Sequence, residues 1–184
     1  MNGIQLMMEE HQLILRMLKV MRNACYKVYH KGEYHEEDFV LMIDFVRQYA
    51  DAHHHGKEEK MLFNRMVEEL GPAAEKLVTH GMLVEHDLGR LHMRQLETAM
   101  GAYKDGNDEA VLDIIANAIG YTDLLKRHID KEDRVAYTFA DKNLPEASLN
   151  ALNMACERFE RDQEALGIQK KYSQLVLEME TKYN

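Results

Sequence analysis

Tryptophan is absent from the 184 residues, proline occurs only twice (Pro72, Pro145) and cysteine only twice (Cys25, Cys156). So little proline, with abundant Leu, Glu, Lys and Ala, suits helices far better than sheets, and the expected class is all-α. Two distant cysteines supply neither a disulfide framework nor a thiolate metal site. The N-terminal stretch "MNGIQLMMEEHQ" has no basic segment followed by an apolar one, so the expected compartment is the cytoplasm. No apolar run approaches the length that spans a bilayer. Positive charge is also short, 23 Lys and Arg against 32 Asp and Glu for a net −9. Without a basic stripe, nucleic acid and anionic membrane are not expected partners. No flavin, haem or nucleotide motif is present. What is unusual is ten histidines.

Apolar residues recur at helical spacing in four stretches, at about residues 3–29, 37–69, 73–104 and 108–140. Glycine marks each joint, in "YHKGEY" around Gly32, "ELGPAAE" around Gly71 and "KDGNDE" around Gly106; Pro72 and Asp108 suit the first turns of the next helices. Short connections between long helices give an up-down-up-down four-helix bundle. The expected division is a bundle over 1–142 and a C-terminal helical extension over 143–184, packed on the bundle and interrupted at Gly167.

The stretch "HHHGKEEKMLF", residues 53–63, lies inside the second helical run, too far from either end to be a purification tag. At about 100° per residue, His11 shares a stripe with Met7, Ile14 and Leu18. His54 falls with Val40, Ile43, Ala50, Glu58 and Met61, and His55 with Asp51 and Glu59 on a more polar flank. His86 falls with Met82, Leu83 and Met93. His128 falls with Leu124, Glu132 and Val135, and with Tyr121, which reads first as a core tyrosine and second as a hydrogen-bond or electron donor to a bound ligand. The remaining histidines, His30, His35, His53, His55, His80 and His92, are expected at the surface or beside the ligands. Depth adds an independent check. His11 lies 21 residues before Gly32 and His54 lies 22 after it; His54 lies 17 before Gly71 and His86 15 after; His86 lies 20 before Gly106 and His128 22 after. All four helices therefore present an inward histidine at one level. Any one alone is more often a hydrogen-bonded core residue than a ligand. Four with two glutamates are costly to bury unless a cation neutralises the carboxylates and accepts the nitrogen lone pairs.

The motifs "EEHQLILRML", "HHHGKEEKMLF", "GMLVEHDLGR" and "HIDKEDRVAY", in that order over about the first 140 residues, resemble the hemerythrin-like, or HHE cation-binding, family of bacterial type. The resemblance implies two non-haem irons bridged by carboxylates and held by His11, His54, Glu58, His86, His128 and Glu132; manganese is the second candidate metal. Oxygen-carrying hemerythrins have a further histidine one turn after the third-helix ligand, where this chain has Arg90. The expectation is therefore an open position on each iron, and a protein that binds or reduces dioxygen, peroxide or nitric oxide with an external electron donor rather than carrying oxygen reversibly. The alternative is an iron or oxygen sensing or storage module without turnover. His54→Ala should strip metal, and His55→Ala should leave it nearly intact.

Overall fold

The computed structural model describes residues 1–183, in which six helices and no strand are found. They are α1 (Gly3–Lys31), α2 (36–70), α3 (72–104), α4 (110–143), α5 (Glu146–Ala165) and α6 (Ile168–Lys182). Each of the first four matches the helix expected from periodicity to within three residues, although α4 starts at Ala110, with Asp108 left in the preceding turn. The Asn2 side chain starts α1 by accepting the Gln5 N–H, and Gly32, at φ 68°, ends it by donating back to Lys27 and Val28. Gly167, at φ 75°, breaks the C-terminal segment into two helices. α4 packs along both α1 and α3, while α5 and α6 lie against α1 and α2. Ion pairs join α2 to α3 at Glu59–Arg90, Asp51–Arg90 and Arg47–Glu97, so residue numbers rise along one helix as they fall along the other. This is the antiparallel bundle. No helix among the described residues is long and apolar enough to cross a membrane.

The core comes in two apolar clusters. One holds Ile14, Met21, Ala50, Met93 and Leu125; the other holds Met7, Leu62, Phe63, Met82 and Ala136. On each of the first four helices the chain passes from one cluster to the other through a buried histidine: His11, His54, His86 and His128. A polar layer thus crosses the bundle between two apolar plugs.

That layer coincides with wide helical turns in which an N–H bonds back five residues instead of four. Gly56 donates to Asp51, Leu83 to Val78 and Tyr137 to Glu132. Each inserts one extra residue per turn and rotates the later part of its helix relative to an ideal α-helix. Two stripe assignments fail around these turns: Val40 and Val135, projected inward, are 52% and 50% exposed.

Candidate metal centre

All six expected ligands converge in the polar layer. His11, His54, Glu58 and Glu132 present donor atoms within 4.8 Å of one another, and His86 and His128 form a second group beside them. Glu132 spans the two, with Oε2 3.3 Å from His11 Nε2 and Oε1 3.0 Å from His128 Nε2. Glu58 Oε2 lies 3.6 Å from both His54 Nε2 and His86 Nε2, and the Tyr137 hydroxyl donates to Glu58 Oε1 at 2.5 Å.

Each ring is held from outside by a carboxylate. His11 Nδ1 donates to Asp133 (2.8 Å), His54 Nδ1 to Glu10 (2.8 Å), His86 Nδ1 to Glu59 (2.8 Å) and His128 Nδ1 to Glu85 (2.9 Å). A carboxylate only accepts, so the ring proton sits on Nδ1 and every Nε2 turns a lone pair inward. His11 and His54 then meet Nε2 to Nε2 at 2.8 Å, and His86 and His128 at 3.0 Å. Lone pairs do not bond to lone pairs. Glu58 Oε2 and both Glu132 oxygens are buried without any hydrogen-bond donor. Something cationic has to sit between these atoms. Two donors at right angles, each about 2.1 Å from one cation, stand about 3 Å apart, which is the separation found in both pairs.

The family model for the hemerythrin HHE cation-binding domain matches residues 2–140. The chain belongs to that family. No curated protein and no solved structure matches it.

In the metal-free HHE domain, protons stand in for cations. Against burial, which favours the neutral ring, the carboxylates of Asp133 and Glu132 push His11 up to about 9. Against burial again, the Glu132 and Glu85 carboxylates push His128 up to about 9. His54 is drawn down to about 4 by burial and by the neighbouring His11. One ring of the His11–His54 pair thus carries a proton that the other accepts. Burial and the adjacent Glu132 push Glu58 well above the usual carboxylate range, while imidazoles on three sides, His128 foremost, hold Glu132 below it despite its burial.

The histidine triplet departs from the sequence reading. All three rings are buried, at 1%, 1% and 5% exposure for His53, His54 and His55, because each meets a different neighbour: His53 lies under Phe159 and Glu160 of α5, His54 faces His11, and His55 stacks on His86. His55 joins His86 and His128 in the second donor group. His53 faces Glu10 and Glu160, but the Lys57 ammonium already fills that acidic cluster by bonding to both carboxylates. Against the burial that would protonate it, hydrogen bonds from His53 and His54 hold Glu10 well below the usual range. His30, His35 and His80 are exposed, as expected, and His92 is half-buried. Arg90 clamps Asp51 and Glu59 at 2.7 Å each. Only the i,i+4 repeat His55–Glu59 hinted at a further inward histidine, and an ideal-helix projection sends it to the flank.

Proposed function

We propose that this HHE domain holds two iron cations between α1, α2, α3 and α4, and uses them to bind or reduce a small oxidant: dioxygen, peroxide or nitric oxide. The observation that carries this reading is the pair of facing Nε2 atoms at 2.8 and 3.0 Å, with every Nδ1 committed outward to a carboxylate. Imidazole and carboxylate donors without thiolate suit iron first and manganese second. When bound, the metals would supply redox chemistry; the sequence carries no flavin, haem or nucleotide motif, and an external electron donor is the expected partner. A cavity of about 250 Å³ reaches His55 and His86 past Asp51, Gly89, Arg90 and Tyr121. The Tyr121 hydroxyl is buried without a partner. It is a donor available to a small ligand entering there.

Metal analysis of protein purified from iron-replete cells should give two irons per chain and near-ultraviolet charge-transfer absorption. Iron near zero, with no spectrum after anaerobic reconstitution, would refute the reading. Consumption of peroxide with an added reductant separates an oxidant-reducing protein from one that only stores or senses.

Two further outcomes are expected from the wall of the site. Tyr121→Phe should keep the metal content and weaken azide binding about tenfold, the effect of one lost hydrogen bond to an anion; spectroscopic azide titration checks it. Cation binding should also release protons, because His11 and His128 carry them up to about pH 9. These raised values stabilise the metal-free protein fully below about 6.5, and that contribution is lost as pH rises through about 9, on the order of a few kcal/mol. The melting temperature in chelator should therefore fall between pH 6.5 and 9, and the gain on adding metal should widen. Calorimetric titration in buffers of different ionisation enthalpy counts the protons; a release of zero at pH 7.5 would contradict the assignment.

A further inference from the structure

We infer that His55 is itself a metal ligand, a fifth imidazole that makes the two cation positions unequal, three histidines on one and two on the other. This deepens the two-cation reading and rests on it. The His55 ring is 5% exposed, its Nδ1 faces Asp51 Oδ1 at 3.3 Å, and its donor atom converges with those of His86 and His128 within 4.8 Å. With Nδ1 turned to a carboxylate, the inward atom is Nε2, the same arrangement as in the other four rings.

Packing alone explains part of this. The His55 ring stacks on His86 at 3.8 Å and 12°, a contact two aromatic rings could make with no metal, and one ring has to tilt out of the stack for both in-plane lone pairs to meet at one cation. Packing does not explain the chain of bonds behind it. Arg90 donates through Nε and Nη2 to Asp51, the carboxylate under His55, and through Nη2 to Glu59, the carboxylate under His86. One guanidinium thus fixes the seats of two adjacent imidazoles. Arg90, one turn beyond His86 on α3, does not supply an imidazole itself; it positions one from α2. Seven protein ligands result, five imidazoles and two carboxylates, and the expectation that His55→Ala leaves bound metal nearly intact gives way to a weakened hold on one cation.

The test uses the full metal-free chain titrated anaerobically with Fe²⁺ by calorimetry, comparing wild type, His55→Gln and His53→Gln. Wild type should take up two equivalents. His55→Gln should retain one binding step and weaken the other by about 100-fold or more, beyond the 10–100-fold typical of losing a carboxylate behind a ligand. His53→Gln, as deeply buried but bonded to Glu10 and Glu160, keeps an amide donor for Glu10 and should leave both steps within several-fold. Both steps within threefold of wild type in His55→Gln would overturn the inference while leaving two-cation binding intact. Fewer than two equivalents in wild type would instead overturn the proposed function, and this inference with it. Should His55→Gln fail to fold, as judged by helical circular dichroism, the Co²⁺-loaded wild type decides the matter. Its proton spectrum should show five solvent-exchangeable, hyperfine-shifted ring N–H signals; four would refute a fifth imidazole.

Discussion

Glu58→Gln will raise the melting temperature of the metal-free protein and at the same time weaken its hold on cations by at least about 100-fold. Opposite signs are expected because the two states ask opposite things of this side chain. In the metal-free protein Glu58 is fully buried, its Oε2 has no donor, and Glu132 lies close by. Its carboxyl either bears an uncompensated charge or takes up a proton at neutral pH, and both cost stability. The amide has neither cost and keeps the shape. For an acid whose folded pKa is raised, the cost is absent below about 4.5, where the group is protonated in both states, and grows as pH rises above that. The advantage of Glu58→Gln should accordingly vanish near pH 4 and reach about 1–3 kcal/mol near neutrality. With cations present the charge becomes the asset, since it neutralises both seats. Melting curves in chelator at pH 4.5 and 7.5, with calorimetric titration of Fe²⁺, check both halves. A variant less stable than wild type with unchanged cation affinity would show that Glu58 is only a structural residue.

Lys57→Met should cost about 3–5 kcal/mol, the usual result of removing one partner from a buried ionic cluster. Lys57 is wholly buried in α2, and its ammonium bonds to Glu10 of α1 and Glu160 of α5. Without it two carboxylates face each other with His53 as their remaining cationic partner. At about 2–4 °C per kcal/mol for a chain of this size, the melting temperature should fall by roughly 6–20 °C. Adding Glu160→Gln should recover part of the loss, because it removes one of the repelling charges; the coupling read from the double-mutant cycle measures the cluster directly. Cation affinity should fall about 10–100-fold, since Glu10 is also the seat of His54 Nδ1. A shift under 2 °C would show that the cluster carries no net stability.

The bundle was legible because its punctuation is chemical. Gly32, Gly71 and Gly106 all take positive φ, and Pro72 opens α3, so composition alone located three of the joints. The convergence of His11, His54, Glu58, His86, His128 and Glu132 was legible from two periodicities, helical phase and equal distance from a turn. Val40, Val135 and the neighbours of His54 were not, and the reason is backbone geometry. The turn that closes from Gly56 onto Asp51 carries one residue more than an α-turn and turns His55 toward His86, while His53 on the other flank is covered by Phe159 and Glu160 of α5. No residue type in "DAHHHGKEE" announces that turn. The Glu10–Lys57–Glu160 cluster escaped for another reason: it joins three helices through side chains whose spacing along the chain has no period.

The two apolar plugs on either side of the polar layer give the metal-free protein a framework of its own. Met7, Leu62 and Phe63 close one end and Ile14, Met21 and Met93 the other, and neither set depends on anything bound between them. A small zinc domain collapses only around its ion, so that binding and folding are one event. Here the apolar framework is expected to form without a cation, with the raised His11 and His128 taking up protons in its place. Loading should then be an ion exchange inside a finished mould, with protons leaving as cations arrive. Chelator should therefore empty the bundle, and added cation refill it, with helical circular dichroism unchanged throughout.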